Sequence, residues 1–233
     1  MDNSHHQLYS NTLTRSEVPE QVYILCDGLL KINSDFFEFY LHKLLDDFES
    51  ILFKHTESGL ANDSHSEHFS HLRNLKRTRH DFIPQFLVGI EHHIASICKS
   101  DMHANQKLAA KSVHYSTMDL VDPKLFDESQ IQFEISSRCE SQNSFDIFLL
   151  GQRFGVLAGR PAFEAGDLPF GPRKLCLCLQ EAIQCLDLDA ANTKQIYLLF
   201  ERHVLKNYSE LLFNCNTYLI ANGVLSNLTY VSF

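Results

Sequence analysis

RFGVLAGRPAFEAGDLPFGPRKLC (Arg153–Cys176) lies in the stretch where glycine and proline are densest. Nine Gly and six Pro serve 233 residues, yet Gly151, Gly155, Gly159, Gly166 and Gly171 all fall between positions 151 and 171. Pro161 and Pro169 stand among them and Pro172 follows. A phosphate-cradling loop here would need a strand before it and would make the fold α/β. A joint between two helices makes it all-α. The phosphate loop requires Gly-Lys-Ser/Thr, so that backbone N–H groups and a lysine face the phosphates, and no such tripeptide occurs. The dinucleotide loop requires a preceding strand, and none is predicted. Gly151, Gly155 and Gly159 are four apart, so on a helix they share a face and let a neighbouring backbone come close. Each costs roughly 1 kcal/mol against Ala, which such packing offsets. Arg160-Pro161 then ends one helix and Gly171-Pro172 opens the next.

The same period extends in both directions. Residues 1–16 are polar and aperiodic and are expected to be disordered. A first helix is predicted from about Pro19 to Lys31 and a second from Ser34, where Phe37, Leu41, Leu44, Phe48 and Ile51 recur at four- and three-residue steps. A third begins near Asp63 and carries Leu72, Leu75, Phe82, Phe86 and Ile90, with Pro84 expected to kink or break it. Residues 101–121 are weakly periodic and read as a linker between N-terminal helices (17–100) and C-terminal helices (122–233). Asp122-Pro123 is a start signal, and Ser141-Gln142-Asn143-Ser144 a break in the helix that follows. Asp189 caps the last long pattern, and Gly223 stops it. The expected fold is an all-α antiparallel bundle of five or six helices, some long and kinked, in which both groups of helices pack as one bundle.

The composition excludes several functions. A net charge of −9 opposes general binding to nucleic acid or to an anionic membrane. Apolar runs stay below ten residues, against the ~20 that span a bilayer. The N-terminus shows no apolar signal-like core. Seven scattered Cys suit a reducing cytoplasm better than a disulfide framework.

Groups able to do chemistry are few. Arg153, Arg160, Arg173 and Lys174 gather cations about the glycine–proline segment, and a helix start at Pro172 offers free N–H groups to an anion. HSEHFSH supplies His65, Glu67 and His68, a possible metal set, though without the His-Glu-x-x-His pattern. His80-Asp81 is a doublet found in metal-dependent phosphohydrolases, and its further ligands have no evident place. Arg73, Lys76, Arg77 and Arg79 form a basic cluster best read as a solvated face. Cys176 and Cys178 read as core thiols. No catalytic residue and no cofactor is assigned.

LVDPKLFDESQIQFEI, LLGQRFGVLAGRP, LPFGPRKLCLCLQEAI and YLLFERHVLKNYSELLFNCNTYLIANGVL, with HLRNLKRTRHDFIPQFLVGIEHHI upstream, resemble a proteobacterial family catalogued as domain of unknown function 1631. The resemblance covers roughly residues 20–230. It is most specific from Gly159-Arg160-Pro161 to Gly171-Pro172 and on to Phe200-Glu201-Arg202-His203. It implies the N-terminal part of a longer protein. Some members precede a PilZ-type domain, whose nucleotide-binding motif is not found here.

These observations lead to a non-enzymatic, bacterial cytoplasmic interaction or regulatory module. Its partner would be another protein, the remainder of a longer chain or a second copy, with neither nucleic acid nor membrane involved. Arg153, Arg160, Arg173, Lys174, Arg202 and His203 are the expected ligand or partner contacts. One alternative is a binding protein or hydrolase for a phosphorylated ligand or nucleotide. A second is a metal-binding helical domain through His65, Glu67 and His68.

Overall fold

The computed structural model describes residues 19–58, 64–97 and 123–228, with side chains at 19–55, 69–97 and 128–228. The expected linker and the first 16 residues lie outside these ranges. Among the described residues every regular element is helical. They are α1 (Glu20–Ser58), α2 (Ser64–Ser96), α3 (Pro123–Gln142), α4 (Ser144–Ala158), α5 (Pro172–Ile183), α6 (Ala190–His203) and α7 (Tyr208–Ala221), with 3-10 turns at Gln184–Leu186 and Leu205–Asn207. Asn143 interrupts α3 and α4 where the polar run 141–144 predicts a break.

The two predicted N-terminal helices are one. α1 runs unbroken through Asn33-Ser34. A polar pair there reads as a cap, but Asn33 is fully buried. Its amide donates back to the Leu29 carbonyl at 2.8 Å and to Cys215 Sγ at 3.8 Å. The side chain therefore ties α1 to α7 and no longer competes for the local backbone. α2 likewise continues past Pro84. The ring faces outward on an exposed turn, so the carbonyl left without its N–H partner can be hydrated.

α1 is the spine. α2 lies antiparallel to it, with Phe37 against Phe86 at 5.1 Å between ring centroids and Phe86 against Phe200 of α6 at 5.9 Å. Two of the four residues of the basic cluster join this pair. Arg79 reaches both Asp46 and Glu49 at 2.8 Å, and Lys76 reaches Glu49 at 3.4 Å. α7 packs antiparallel on α1, α5 packs on α2, and α3 leans on α5 and α6. One apolar core takes side chains from all seven helices. Asp189 caps α6 as expected, accepting the Asn192 N–H at 2.7 Å. No helix among the described residues is long and apolar enough to cross a membrane.

The glycine–proline segment is a return. Gly159 takes φ +62° at the end of α4, and the Arg160 N–H closes on the Gly155 carbonyl at 2.9 Å. That is the left-handed helix stop that glycine enters without a Cβ penalty. The chain then folds back along the glycine face. The Phe163 N–H donates to the Gly151 carbonyl at 3.0 Å, and the backbone of Arg160 and Ala162 sits against Gly155. A Cβ on Gly151 would overlap the Phe163 carbonyl oxygen. Gly151→Ala is expected to cost about 1–3 kcal/mol, as overpacking does. In a chain of this size that is roughly 2–4 °C of Tm per kcal/mol. Gly166→Ala meets open space and should stay within about 0.5 kcal/mol. Thermal unfolding of the two variants side by side checks both.

Candidate functional site

Five of the six expected contact residues are engaged inside the fold. Arg153 is 1% exposed. Its Nη1 donates to Asn216 Oδ1 at 2.7 Å and to the Leu149 carbonyl at 3.2 Å, while Nε has no hydrogen-bond partner. No carboxylate among the described residues pairs with it, and burial pulls its pKa down. Arg160 donates to the Ile97 carbonyl at 3.1 Å, so it satisfies the C-terminal end of α2, and it lies over the Phe163 ring. Arg173 Nε stands 3.2 Å from Glu140 on α3. Lys174 donates to the Asp167 carbonyl at 2.7 Å, within the return segment. His203 meets Asp47 of α1 at 2.8 Å.

Two of the six come together. Arg160 and Lys174 line a cavity of about 510 Å³ with His93, Ile97, Phe163 and Asp167. His93 is pulled down to about 4, first by burial and then by Lys174 and His92, so it is neutral at pH 7. The cavity thus presents two cations, one carboxylate and a neutral imidazole. Arg153 and Arg173 point elsewhere, and the start of α5 has no side-chain cap.

Arg202 is the exception. Its side chain is exposed and makes no hydrogen bond or ion pair among the described residues. It lines a second cavity of about 510 Å³ between α3 and α6, floored by Ile135, Cys139 and Leu205. A third cavity, of about 350 Å³, lies further along the same seam, where Glu128 and Ile131 face Thr193, Lys194 and Tyr197. The two follow one another along the α3–α6 seam, the smaller one walled also by Gln180 and Ile183 of α5 and by Gln184, Asp187 and Leu188 after it. Their lining advances in step along both helices, from Glu128 to Gln142 on α3 and from Ala190 to Lys206 on and just past α6. Residues 128–142 rise ~21 Å at 1.5 Å each.

Polar bonds hold α3 and α6 side by side. Gln132 donates to the Tyr197 hydroxyl at 2.7 Å, and that hydroxyl donates to Glu128 at 2.9 Å. Arg138 Nε donates to Glu201 at 2.9 Å, and Cys139 Sγ lies 3.7 Å from the Leu205 carbonyl. Burial raises the Tyr197 pKa far above its usual range, so this hydroxyl stays protonated and keeps its bond to Glu128. The groove escaped the sequence because its two walls lie about 65 residues apart and neither carries a motif. Arg202 was its only legible trace.

The thiols sit in the core, as expected of Cys176 and Cys178. Burial pushes Cys139 and Cys178 up to about 12 and raises Cys176 and Cys215 further. These groups are thiols, not thiolates, at neutral pH, and are poor nucleophiles. His80 and Asp81 are exposed and meet only each other, at 3.3 Å. No group of three His, Cys, Asp or Glu that could hold a metal occurs among the described residues. The side chains of His65, Glu67 and His68 lie outside them.

The chain belongs to the family whose model is described as Protein of unknown function (DUF1631) N-terminal domain, matching residues 27–223. The resemblance carried by the glycine–proline return and its flanking helices is borne out over that range. No curated protein and no solved structure matches the chain.

Two outcomes follow from the buried cations and the histidine. Replacing both members of a buried polar pair by apolar groups of similar volume is often neutral or stabilising, whereas removing one member is costly. Arg153→Met/Asn216→Leu together should leave stability unchanged or raise it, and Asn216→Leu alone should lose about 3 kcal/mol, read from chemical denaturation. For His93 the folded pKa lies below the unfolded value of ~6.5. Between pH 6.5 and 4 the unfolded chain binds the extra proton, so stability falls as pH falls through that window. The slope is below about 1.4 kcal/mol per pH unit, because His93 is only half-buried. Urea midpoints at pH 7.0, 5.5 and 4.5 should fall less for His93→Gln than for the parent.

Proposed function

We propose that this chain is a helical interaction module that docks onto another protein or onto further parts of a longer chain. The observation that carries it is the open seam between α3 and α6. Elsewhere several cations, Lys76, Arg79, Arg160, Arg173 and Lys174, are held by internal bonds. Along this seam two helices stand side by side with buried apolar residues at the floor, exposed Leu198 and unpaired cations at the rim. Concave apolar surface framed by polar groups is what protein recognition uses. A cytoplasmic setting is supported by the thiols of Cys139, Cys176, Cys178, Cys185 and Cys215, none of them in a disulfide.

A second class of function is favoured by the cavity of Arg160, Lys174 and His93, whose two cations suit a phosphorylated small molecule or nucleotide. One experiment separates the two. The chain is tagged in its source cells at native level, cross-linked and purified, and in parallel the pure chain is screened by thermal shift against nucleotides and phosphorylated metabolites. The module is expected to bring down a stoichiometric protein partner and to give a flat screen. A ligand at ~100 times its Kd adds about 2.7 kcal/mol, or roughly 5–11 °C. A shift of that size abolished by Lys174→Ala, with no stoichiometric partner, would overturn the interaction reading in favour of the ligand.

A further inference from the structure

We infer that the α3–α6 groove receives an acidic amphipathic helix of a partner protein. The inference rests on the interaction-module reading above and adds the place and the chemistry. Three observations select this occupant.

The shape is a trough between two parallel helices. Ile135, Cys139 and Leu205 form its floor, each no more than 3% exposed, and Leu198 stands 43% exposed. Floor residues on α3 recur at 131, 135 and 139, one helical turn apart. The ridge of a third helix fits a trough of that repeat, with apolar anchors at i, i+3, i+4 and i+7. A length of ~21 Å accepts about four turns.

The charge is the second observation. Arg138, Arg202 and Lys206 rim the wide end, against one carboxylate, Glu201. Glu201 is already bound to Arg138. Arg202 and Lys206 are exposed and form no ion pair among the described residues. This end carries a net positive charge in a chain whose total is −9. Local charge opposed to the average is what steers an oppositely charged partner and sets its register.

The third is how the walls are held. Gln132, Tyr197, Glu128, Arg138 and Glu201 bridge α3 and α6 by hydrogen bonds. Long polar side chains keep the helices from closing the trough on themselves, so the groove is preformed and its occupant pays little to open it. The narrower end has mixed charge, with Lys194 facing Glu128 and Asp187. The acidic residues of the partner are therefore placed toward Arg202 and Lys206.

The test uses the whole chain and a fluorescein-labelled 18-residue peptide with Leu at i, i+3, i+4 and i+7 and Glu on its polar face. Two controls carry Lys in place of Glu, or the same residues scrambled. Fluorescence anisotropy at 50 and 300 mM NaCl should show saturable binding of the acidic peptide, at least tenfold tighter than either control and weaker at high salt. Arg202→Glu/Lys206→Glu, and separately Leu198→Asp, should each weaken it at least tenfold. Arg73→Glu/Arg77→Glu, on another exposed face, should leave it within twofold. All five positions are exposed, and circular dichroism melts confirm that each variant folds. Equal binding by the scrambled peptide, unchanged binding by Arg202→Glu/Lys206→Glu, or no saturation up to 1 mM would overturn the proposal. So would a chain that dimerises in sedimentation and is made monomeric by Leu198→Asp, because the occupant would then be a second copy. The capture experiment keeps the two readings apart. A stoichiometric partner retained by Arg202→Glu/Lys206→Glu moves the docking site and leaves the module standing, whereas no partner at all removes the module.

Discussion

The fold turns on one close approach of backbone to backbone. The return after α4 lies directly on Gly151 and Gly155, and the Phe163 N–H bonds to the Gly151 carbonyl. That contact exists only because two turns of α4 lack a Cβ. It sets where the chain leaves for α5, and hence where α5 meets α2 and α3. Phe154 and Phe170 lock the return from the core side, with ring centroids 5.7 Å apart. Tyr208 of α7 donates to the Phe170 carbonyl at 3.1 Å from a fully buried position. The glycines lose helix propensity, and the packing that they permit more than offsets it. Lys174 and Arg160 complete the joint by satisfying carbonyls, one within the return and one at the end of α2.

Features set by local chemistry were legible in the sequence. The four-residue spacing of glycine announced a close-packed face, and the polar run 141–144 announced the interruption of α3 and α4. Asp189 announced a cap. Each of these depends on a few neighbouring residues and on helix geometry alone. Asn33 was not legible, because its role is decided by Cys215, 182 residues away. An asparagine beside a serine prefers a cap when solvated, and burial against α7 reverses that preference. Nor could the sequence distinguish Arg202 from His203. They are adjacent at the end of α6, yet one helical step of 100° sends His203 to Asp47 on α1 and Arg202 out over α3.

The openness of the α3–α6 seam follows from what else α6 must do. Ile196, Leu199 and Phe200 are fully buried in the core beside α1 and α2. That commitment fixes the rotation of α6 about its axis. What it turns toward α3 is then the flank, with Lys194, Leu198, Glu201 and Arg202. α3 is fixed in turn by α5, through Arg173 to Glu140 and Cys176 against the Gln132 carbonyl. Two helices positioned by other neighbours meet at the rim of this seam through the side chains left over, long and polar, above a floor of Ile135, Cys139 and Leu205. A seam closed by apolar side chains would be worth about 25 cal/mol per Å² of apolar surface removed from water. Polar bridges contribute far less at an exposed edge. The fold therefore leaves Leu198 in water along this groove, apolar surface that a further helix could cover, and it does so without weakening a core that is complete on its own.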